Sequence, residues 1–220
     1  MSRFAVIGHG KSPVGKRWGH HIDAYDTVVR MWDWHWQDAE DYGSKYDYGF
    51  FEAHSSVLPL FLKSNKRTPS QNWIGSLWNI KSFVDLPKNV PKGSILFDPA
   101  PYAKKATRMG ACGTKKELTL TRGTIAALWA IHNATSVTLV GFDNVVAKLC
   151  LPINDGFPQA YIHEPTTFTF LGYAPGQQRH GGHDFGFERA LLEHVASDRD
   201  VEFVFSQEVW KCNPTSTMEK

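Results

Sequence analysis

Short apolar segments of strand length alternate with segments of helical periodicity from the first residues to the last, and no other feature limits the fold as narrowly. Residues 4–8, 27–32 and 136–140 are runs of apolar and β-branched side chains. Residues 121–133 and 184–196 instead repeat apolar side chains at the spacing of a helix face. Strands that alternate with helices form a parallel sheet covered by helices. The sequence therefore predicts an α/β fold.

Further strands are predicted at residues 48–52, 94–97 and 201–205. A length of 220 residues fits one domain, so we predict a Rossmann-like single domain over residues 1–220 with a mostly parallel central sheet. Residues 151–180 are rich in proline, glycine and aromatic side chains and are predicted to form a lid or acceptor loop. Residues 212–220 are predicted to be a tail.

Composition and charge exclude several classes of protein. Hydrophobic residues make up 42% and charged residues 21% of the chain, which argues against a disordered or fibrous protein. The net charge of +2 requires no polyanionic partner. The first apolar run ends at a glycine after four residues, too early for a signal peptide or a membrane span. Three cysteines without a Cys-x-x-Cys pair favour neither a disulfide framework nor zinc, so we expect a cytosolic protein.

A glycine-rich turn follows the first predicted strand. Its sequence runs Gly-His-Gly-Lys-Ser from Gly8 to Ser12, and glycines there would let backbone amides approach an anion. Pro13 interrupts the helix entry that a Rossmann dinucleotide fingerprint needs, and the spacing of a P-loop is absent. By itself the turn indicates either a phosphate site or an ordinary tight turn.

Four segments in order resemble the sialyltransferases of glycosyltransferase family 29. The turn from Gly8 with the following Ile-Asp, Asp and Arg-Met is similar to the family's long motif, and a Gly-Ser-Lys follows it at residues 43–45. Residues 120–124 with the Gly-Phe at 141–142 are similar to the short motif. His183 and Glu188, separated by four residues, are similar to the very short motif. The resemblance implies a GT-A-like variant of the Rossmann fold and metal-independent, inverting transfer of a sugar from a nucleotide-activated donor.

The resemblance also implies roles for individual residues. His183 is expected to be the catalytic base, which agrees with the pKa of imidazole lying near working pH. His180 is expected to help the phosphate leave, and Glu188 is expected to be structural. The residues expected around the donor are Gly8, His9, Gly10, Ser12, Arg30, Trp32, Ser44, Thr121, Arg122 and Gly123.

The sequence also departs from the family. His9 and Trp32 stand where the family has asparagines beside the nucleotide, and Arg122 adds a fixed charge where it has small polar groups. A CMP-sialic acid type of donor and another nucleotide sugar therefore both remain open. The cysteine that precedes the turn in secreted members is replaced by Phe4, which fits a bacterial or viral cytosolic enzyme.

The partners predicted are a nucleotide sugar and a hydroxyl acceptor, with no metal and no other cofactor. The acceptor is either a glycan or, given the basic and tryptophan-bearing segments, a hydroxymethylated base in viral DNA. A nucleotide-binding protein without catalysis is the remaining alternative, because such a protein would keep the glycine turn but would not need His183. The sequence carries no signal for an oligomeric state.

Overall fold

A parallel sheet of seven strands forms the centre of the described chain. The computed structural model describes residues 1–10, 13–31, 37–53, 72–77, 90–102, 104, 120–142, 179–180 and 183–205. The strands are β1 (Arg3–Ile7), β2 (Thr27–Met31), β3 (Tyr48–Glu52), β4 (Asn72–Ser76), β5 (Ile95–Phe97), β6 (Ser136–Val140), β7 (Arg179–His180), β8 (His183–Asp184) and β9 (Glu202–Phe205). β7 and β8 form a separate antiparallel pair.

The order of strands in the sheet places β1 near its middle. The order is β5-β4-β3-β2-β1-β6-β9, and every neighbouring pair is parallel. After β1, the chain adds β2, β3, β4 and β5 in turn on one side of β1. It then crosses over and places β6 on the other side of β1. In doubly wound sheets the crevice at such a reversal, beyond the carboxyl ends of the strands, is where ligands bind. Here that crevice lies after Ile7 and Val140, which are register partners.

Helices cover the sheet. They are α1 (Gly19–Asp23), α2 (Ala39–Tyr42), α3 (Arg122–Asn133) and α4 (Phe185–Asp198) among the described residues. Because side chains alternate along a strand, β1, β2 and β6 each contribute to two cores. One core, on the face covered by α3 and α4, includes Val29, Phe50 and Leu128. The other includes Val28 and Ile22 and lies under α1.

The α/β, Rossmann-like prediction is confirmed, and six of the strands lie within one residue of the predicted ends. β4 was not predicted. Its sequence is short and contains Gly75, a residue that normally weakens a strand. The structure gives that glycine a packing reason, because a Cβ there would lie 2.8 Å from the ring of Phe51.

Several predicted features lie outside the described residues. These are Ser12, Trp32, residues 151–178 of the predicted lid, and the tail at 212–220. His180 and His183 are placed by their backbone.

Candidate functional site

The crevice after β1 and β6 is built by close contact between two glycine-containing turns. The Gly8 amide donates to the Val140 carbonyl at 2.8 Å, and the Gly10 amide donates to the Gly141 carbonyl at 2.8 Å. A Cβ on Gly8 would lie 2.5 Å from the Gly141 oxygen, while Gly141 itself has φ +70°. Both amides therefore already have carbonyl partners within the protein, and these glycines allow close packing; a contact of Gly8 and Gly10 with the donor stays a prediction.

The ring of Phe142 joins the glycine turn to the start of α3. A Cβ on Gly123 would lie 2.9 Å from this ring, and a Cβ on Gly8 would lie 3.1 Å from it. The absence of a side chain at both positions lets the helix start approach the turn. Two of the predicted motifs, more than a hundred residues apart in the chain, thus meet around one aromatic side chain.

A buried carboxylate ties the start of α3 to α4. Glu188, 0% exposed, accepts from the Thr121 amide at 2.9 Å and from the Thr121 hydroxyl at 2.6 Å. The Thr124 hydroxyl donates to the same carboxylate. Thr121 is also the N-cap of α3, because its hydroxyl accepts from the Thr124 amide at 3.2 Å. These contacts are of the structural kind that the sequence indicated for Glu188.

The two predicted catalytic histidines are register partners. β7 and β8 pair antiparallel with His180 opposite His183, and only Gly181 and Gly182 separate the strands in sequence. α4 begins two residues after His183. Glu188, in the first turn of α4, is hydrogen-bonded to the start of α3. His183 precedes Glu188 by only five residues, so the length of chain between them keeps the His183 backbone near the start of α3.

Arg122 forms an ion pair at the carboxyl edge of the sheet. Its Nε lies 3.7 Å from Oε1 of Glu52, the last residue of β3. The Arg122 side chain is 11% exposed and that of Glu52 is 30% exposed. Sequence reasoning missed Glu52, although an acidic residue at the carboxyl end of a predicted strand is a usable signal.

Arg30 lies on the opposite face of the sheet from Arg122. Its Nε donates to the Lys45 carbonyl at 2.8 Å and its Nη2 to the Tyr42 carbonyl at 2.6 Å. Its Nη1 donates to Gln37, whose amide group in turn donates to the Gly8 carbonyl at 2.7 Å. Burial lowers the pKa of this guanidinium to about 10, although the charge of nearby Asp23 acts in the other direction.

Arg30 therefore holds Gln37 in place, and Gln37 in turn holds the Gly8 carbonyl of the glycine turn. These contacts position the turn, and the direct donor contact that the sequence suggested for Arg30 stays a prediction. Gln37 carries no sequence signal that would have identified it as the connecting residue.

The Gly-Ser-Lys segment also holds neighbouring parts of the chain together. The Ser44 amide and hydroxyl and the Lys45 amide all donate to the Asp23 carboxylate, at 2.8–3.1 Å. Burial raises the pKa of Asp23, but these hydrogen bonds and the charge of Arg30 outweigh it, and the net pKa is lowered. Gly43, at φ +74°, leaves room for the same carboxylate. Ser44 was expected beside the donor, but its described partner is Asp23.

Two further side chains hold the turn itself. The Tyr42 hydroxyl donates to the Gly10 carbonyl at 2.8 Å. The Asp41 carboxylate accepts from the amides of Gly15 and Arg17 at 2.7 and 2.9 Å. His9 lies between the two packed glycines and is 8% exposed. The turn is thus fixed on both sides by side chains of the segment 37–45.

Among the described residues, no group of three or more His, Cys, Asp or Glu side chains is arranged to hold a metal ion. No helix in the described part of the chain has both the length and the apolar character to cross a membrane.

This chain matches known proteins by structure and not by sequence. No protein-family model matches the sequence, and no curated protein sequence matches it. The chain is similar in structure to a mammalian sialyltransferase in complex with Gal-beta-1-3GalNAc-ortho-nitrophenol, with a TM-score of 0.47 and 18% identity over 92% of this chain and 69% of that one. It is similar also to a second structure of a mammalian sialyltransferase, with a TM-score of 0.46 and 16% identity over 92% of this chain and 68% of that one. The fold assignment rests on the strand order and register described above.

Proposed function

We propose that this chain is a glycosyltransferase that moves a sugar from a nucleotide-activated donor to a hydroxyl acceptor, with inversion and without a metal. The observation that carries the proposal is the junction around Phe142 and Glu188, which links the glycine turn, the start of α3 and the helix that follows His183. These are the segments that resemble the sialyltransferase motifs, and they meet at the topological switch point, where α/β sheets bind ligands.

The donor is proposed to lie in the crevice after β1 and β6. Its nucleotide faces the turn at residues 8–10, and its sugar lies toward the start of α3 and Arg122. The donor class comprises CMP-sialic acid and other nucleotide sugars. The acceptor, a glycan or a DNA base, and the cytosolic, bacterial or viral setting stay predictions from the sequence.

In the proposed mechanism His183 acts as general base. Its neutral imidazole removes the proton from the acceptor hydroxyl as that oxygen forms a bond to the anomeric carbon. The bond between the anomeric carbon and the phosphate oxygen breaks on the opposite face, and the electron pair leaves with the nucleotide. His180 is proposed to stabilise the charge that develops on the leaving phosphate. One displacement accounts for inversion and requires no enzyme nucleophile.

The first test is binding of nucleotides to the purified protein. CMP, CDP, UMP, UDP, GDP and ADP are each added while the melting temperature is followed, because a ligand that binds the folded state alone raises it. A selective rise with one nucleotide supports the donor site. No rise with any of them contradicts it.

The second test separates catalysis from binding. His183→Ala should lower the rate of sugar transfer from the bound donor by about 10²–10⁴-fold while leaving the nucleotide-induced rise in melting temperature unchanged. His194→Ala is the matched control, since His194 lies on α4 with Asp198 as its neighbour at 3.4 Å. If His183→Ala transfers sugar at the wild-type rate, His183 is not the base.

A further inference from the structure

Two side chains from one neighbouring segment hold the carbonyl groups of the glycine turn. The Gly8 carbonyl accepts from the side-chain amide of Gln37 at 2.7 Å. The Gly10 carbonyl accepts from the hydroxyl of Tyr42 at 2.8 Å. A peptide group is planar, so a side chain that fixes a carbonyl also fixes the plane of the whole peptide group. Gln37 and Tyr42 therefore set the orientation of two peptide groups in the turn.

The same two glycines are held on their amide side by a different part of the chain. The amides of Gly8 and Gly10 donate to the carbonyls of Val140 and Gly141, both at 2.8 Å. The turn thus lies between β6, with the residue that follows it, and the segment 37–45. Contacts on both sides leave the backbone of the turn with one defined arrangement.

A single buried guanidinium places both of the side chains that reach the turn. Arg30 is 0% exposed, and its donors point in the fixed directions of a planar fork. Its Nη1 donates to Gln37 Oε1 at 3.1 Å, and its Nη2 donates to the Tyr42 carbonyl at 2.6 Å. Gln37 and Tyr42 are themselves buried, so little water competes for their hydrogen bonds to the turn.

We propose that Gln37 and Tyr42 are positioning residues for the nucleotide, which set the affinity of the site by orienting the glycine turn. The inference rests on the proposed function, in which the nucleotide faces this turn at the switch point. A backbone turn offers a ligand polar groups at fixed positions, so rotation of its peptide groups changes the hydrogen bonds that it can form. Both side chains act through the turn and need not touch the ligand.

Tyr42→Phe tests the inference with the smallest change, because it removes the hydroxyl and keeps the ring. Tyr25→Phe is the matched control: the Tyr25 hydroxyl donates to Thr138 in β6 at 2.7 Å, and both tyrosines pack in the core under α1. CMP, CDP, UMP, UDP, GDP and ADP are titrated into the wild-type protein by calorimetry, and the nucleotide that binds is used with each variant, well below its melting temperature.

Both tyrosine variants should melt at a lower temperature, because each loses one hydrogen bond. Only Tyr42→Phe should also raise the Kd of the nucleotide, by about three- to tenfold, the factor by which one neutral hydrogen bond shifts an equilibrium. At saturating donor the rate of sugar transfer should equal that of the control, since the change acts on binding. A purely structural role of the hydroxyl would lower the melting temperature alone.

Gln37→Glu provides an independent test of the second contact. Glutamate keeps the size of the side chain and the oxygen that accepts from Arg30, but it has no donor for the Gly8 carbonyl. The Kd should rise by about tenfold or more, because two acceptors now face each other.

A variant that binds the nucleotide as tightly as Tyr25→Phe removes its residue from the proposal. If both variants do so, the inference is wrong and the proposed function stands. Failure of all six nucleotides to bind the wild-type protein contradicts the proposed function, and the inference with it.

Discussion

Glu188→Ala should be among the most destabilising single substitutions in the described part of the chain. The carboxylate is buried and accepts from the Thr121 amide, the Thr121 hydroxyl and the Thr124 hydroxyl. A hydrogen bond to a charged group contributes about 1.5–3 kcal/mol, so three such bonds sum to about 5–9 kcal/mol. Deletion also relieves the cost of burying the charge, which leaves a net loss of about 3–5 kcal/mol in the free energy of unfolding.

The loss is measured by urea unfolding, with thermal unfolding as a second measurement. For a chain of this size about 1 kcal/mol corresponds to about 2–4 °C, so the melting temperature should fall by about 10 °C. Glu188→Gln keeps the volume and one acceptor, and should cost about 1–2 kcal/mol. Glu193→Ala, on the same helix but paired with Arg189 at the surface, should cost about 0.5 kcal/mol or less.

If Glu188→Ala costs under about 1 kcal/mol, similar to the surface control, then the buried carboxylate does not hold α4 to the start of α3. The proposed placement of His183 would lose its structural support at the same time.

The remaining predictions concern the glycine turn and the segment beside it. Gly8→Ala should cost about 3 kcal/mol in urea unfolding, the upper part of the range for overpacking, and abolish the nucleotide-induced rise in melting temperature, because its Cβ would lie 2.5 Å from the Gly141 backbone oxygen. A Cβ at Gly15 would have no atom within 4 Å, so Gly15→Ala should cost only about 1–2 kcal/mol, the strain of an alanine at positive φ. Equal losses of stability in Gly8→Ala and Gly15→Ala would contradict the explanation by packing. The pKa of Asp23 is lowered in the folded state, so its contribution is present above its unfolded value of 3.8 and is lost as the pH falls through the folded pKa. From about pH 5 to about pH 3 the urea midpoint should therefore fall further in the wild type than in Asp23→Asn, and parallel curves would refute this.

Most of the fold was predictable because its signals are local. β3 and β6 match the predicted ranges, and α3 begins one residue from its predicted start, since β-branched runs and helical periodicity are properties of neighbouring residues. β4 was not predictable in this way. Its Gly75 is favoured by contact with Phe51 on the adjacent strand, and that contact exists only once the sheet has formed.

In the candidate site, too, local sequence signals were predictable and contacts between distant segments were not. Sequence motifs identified Gly8, Gly123 and Glu188, but not what each one contacts. Arg30 and Arg122 were both expected around the donor, yet alternation along β2 places Arg30 on the face opposite α3. A face assignment of this kind depends on which strands are neighbours, which the motif sequence does not contain.

By itself the sequence determined the α/β class, the position of the glycine turn, and the order of four motif-like segments along the chain. The tertiary structure alone decided that the amides of Gly8 and Gly10 donate to carbonyls within the protein and that Glu188 accepts from the Thr121 amide at the start of α3. It alone decided also that Glu52 compensates the charge of Arg122. The physical reason is that periodicity reports local backbone preference, whereas hydrogen-bond partners and neutralised charges arise from segments brought together by the parallel sheet.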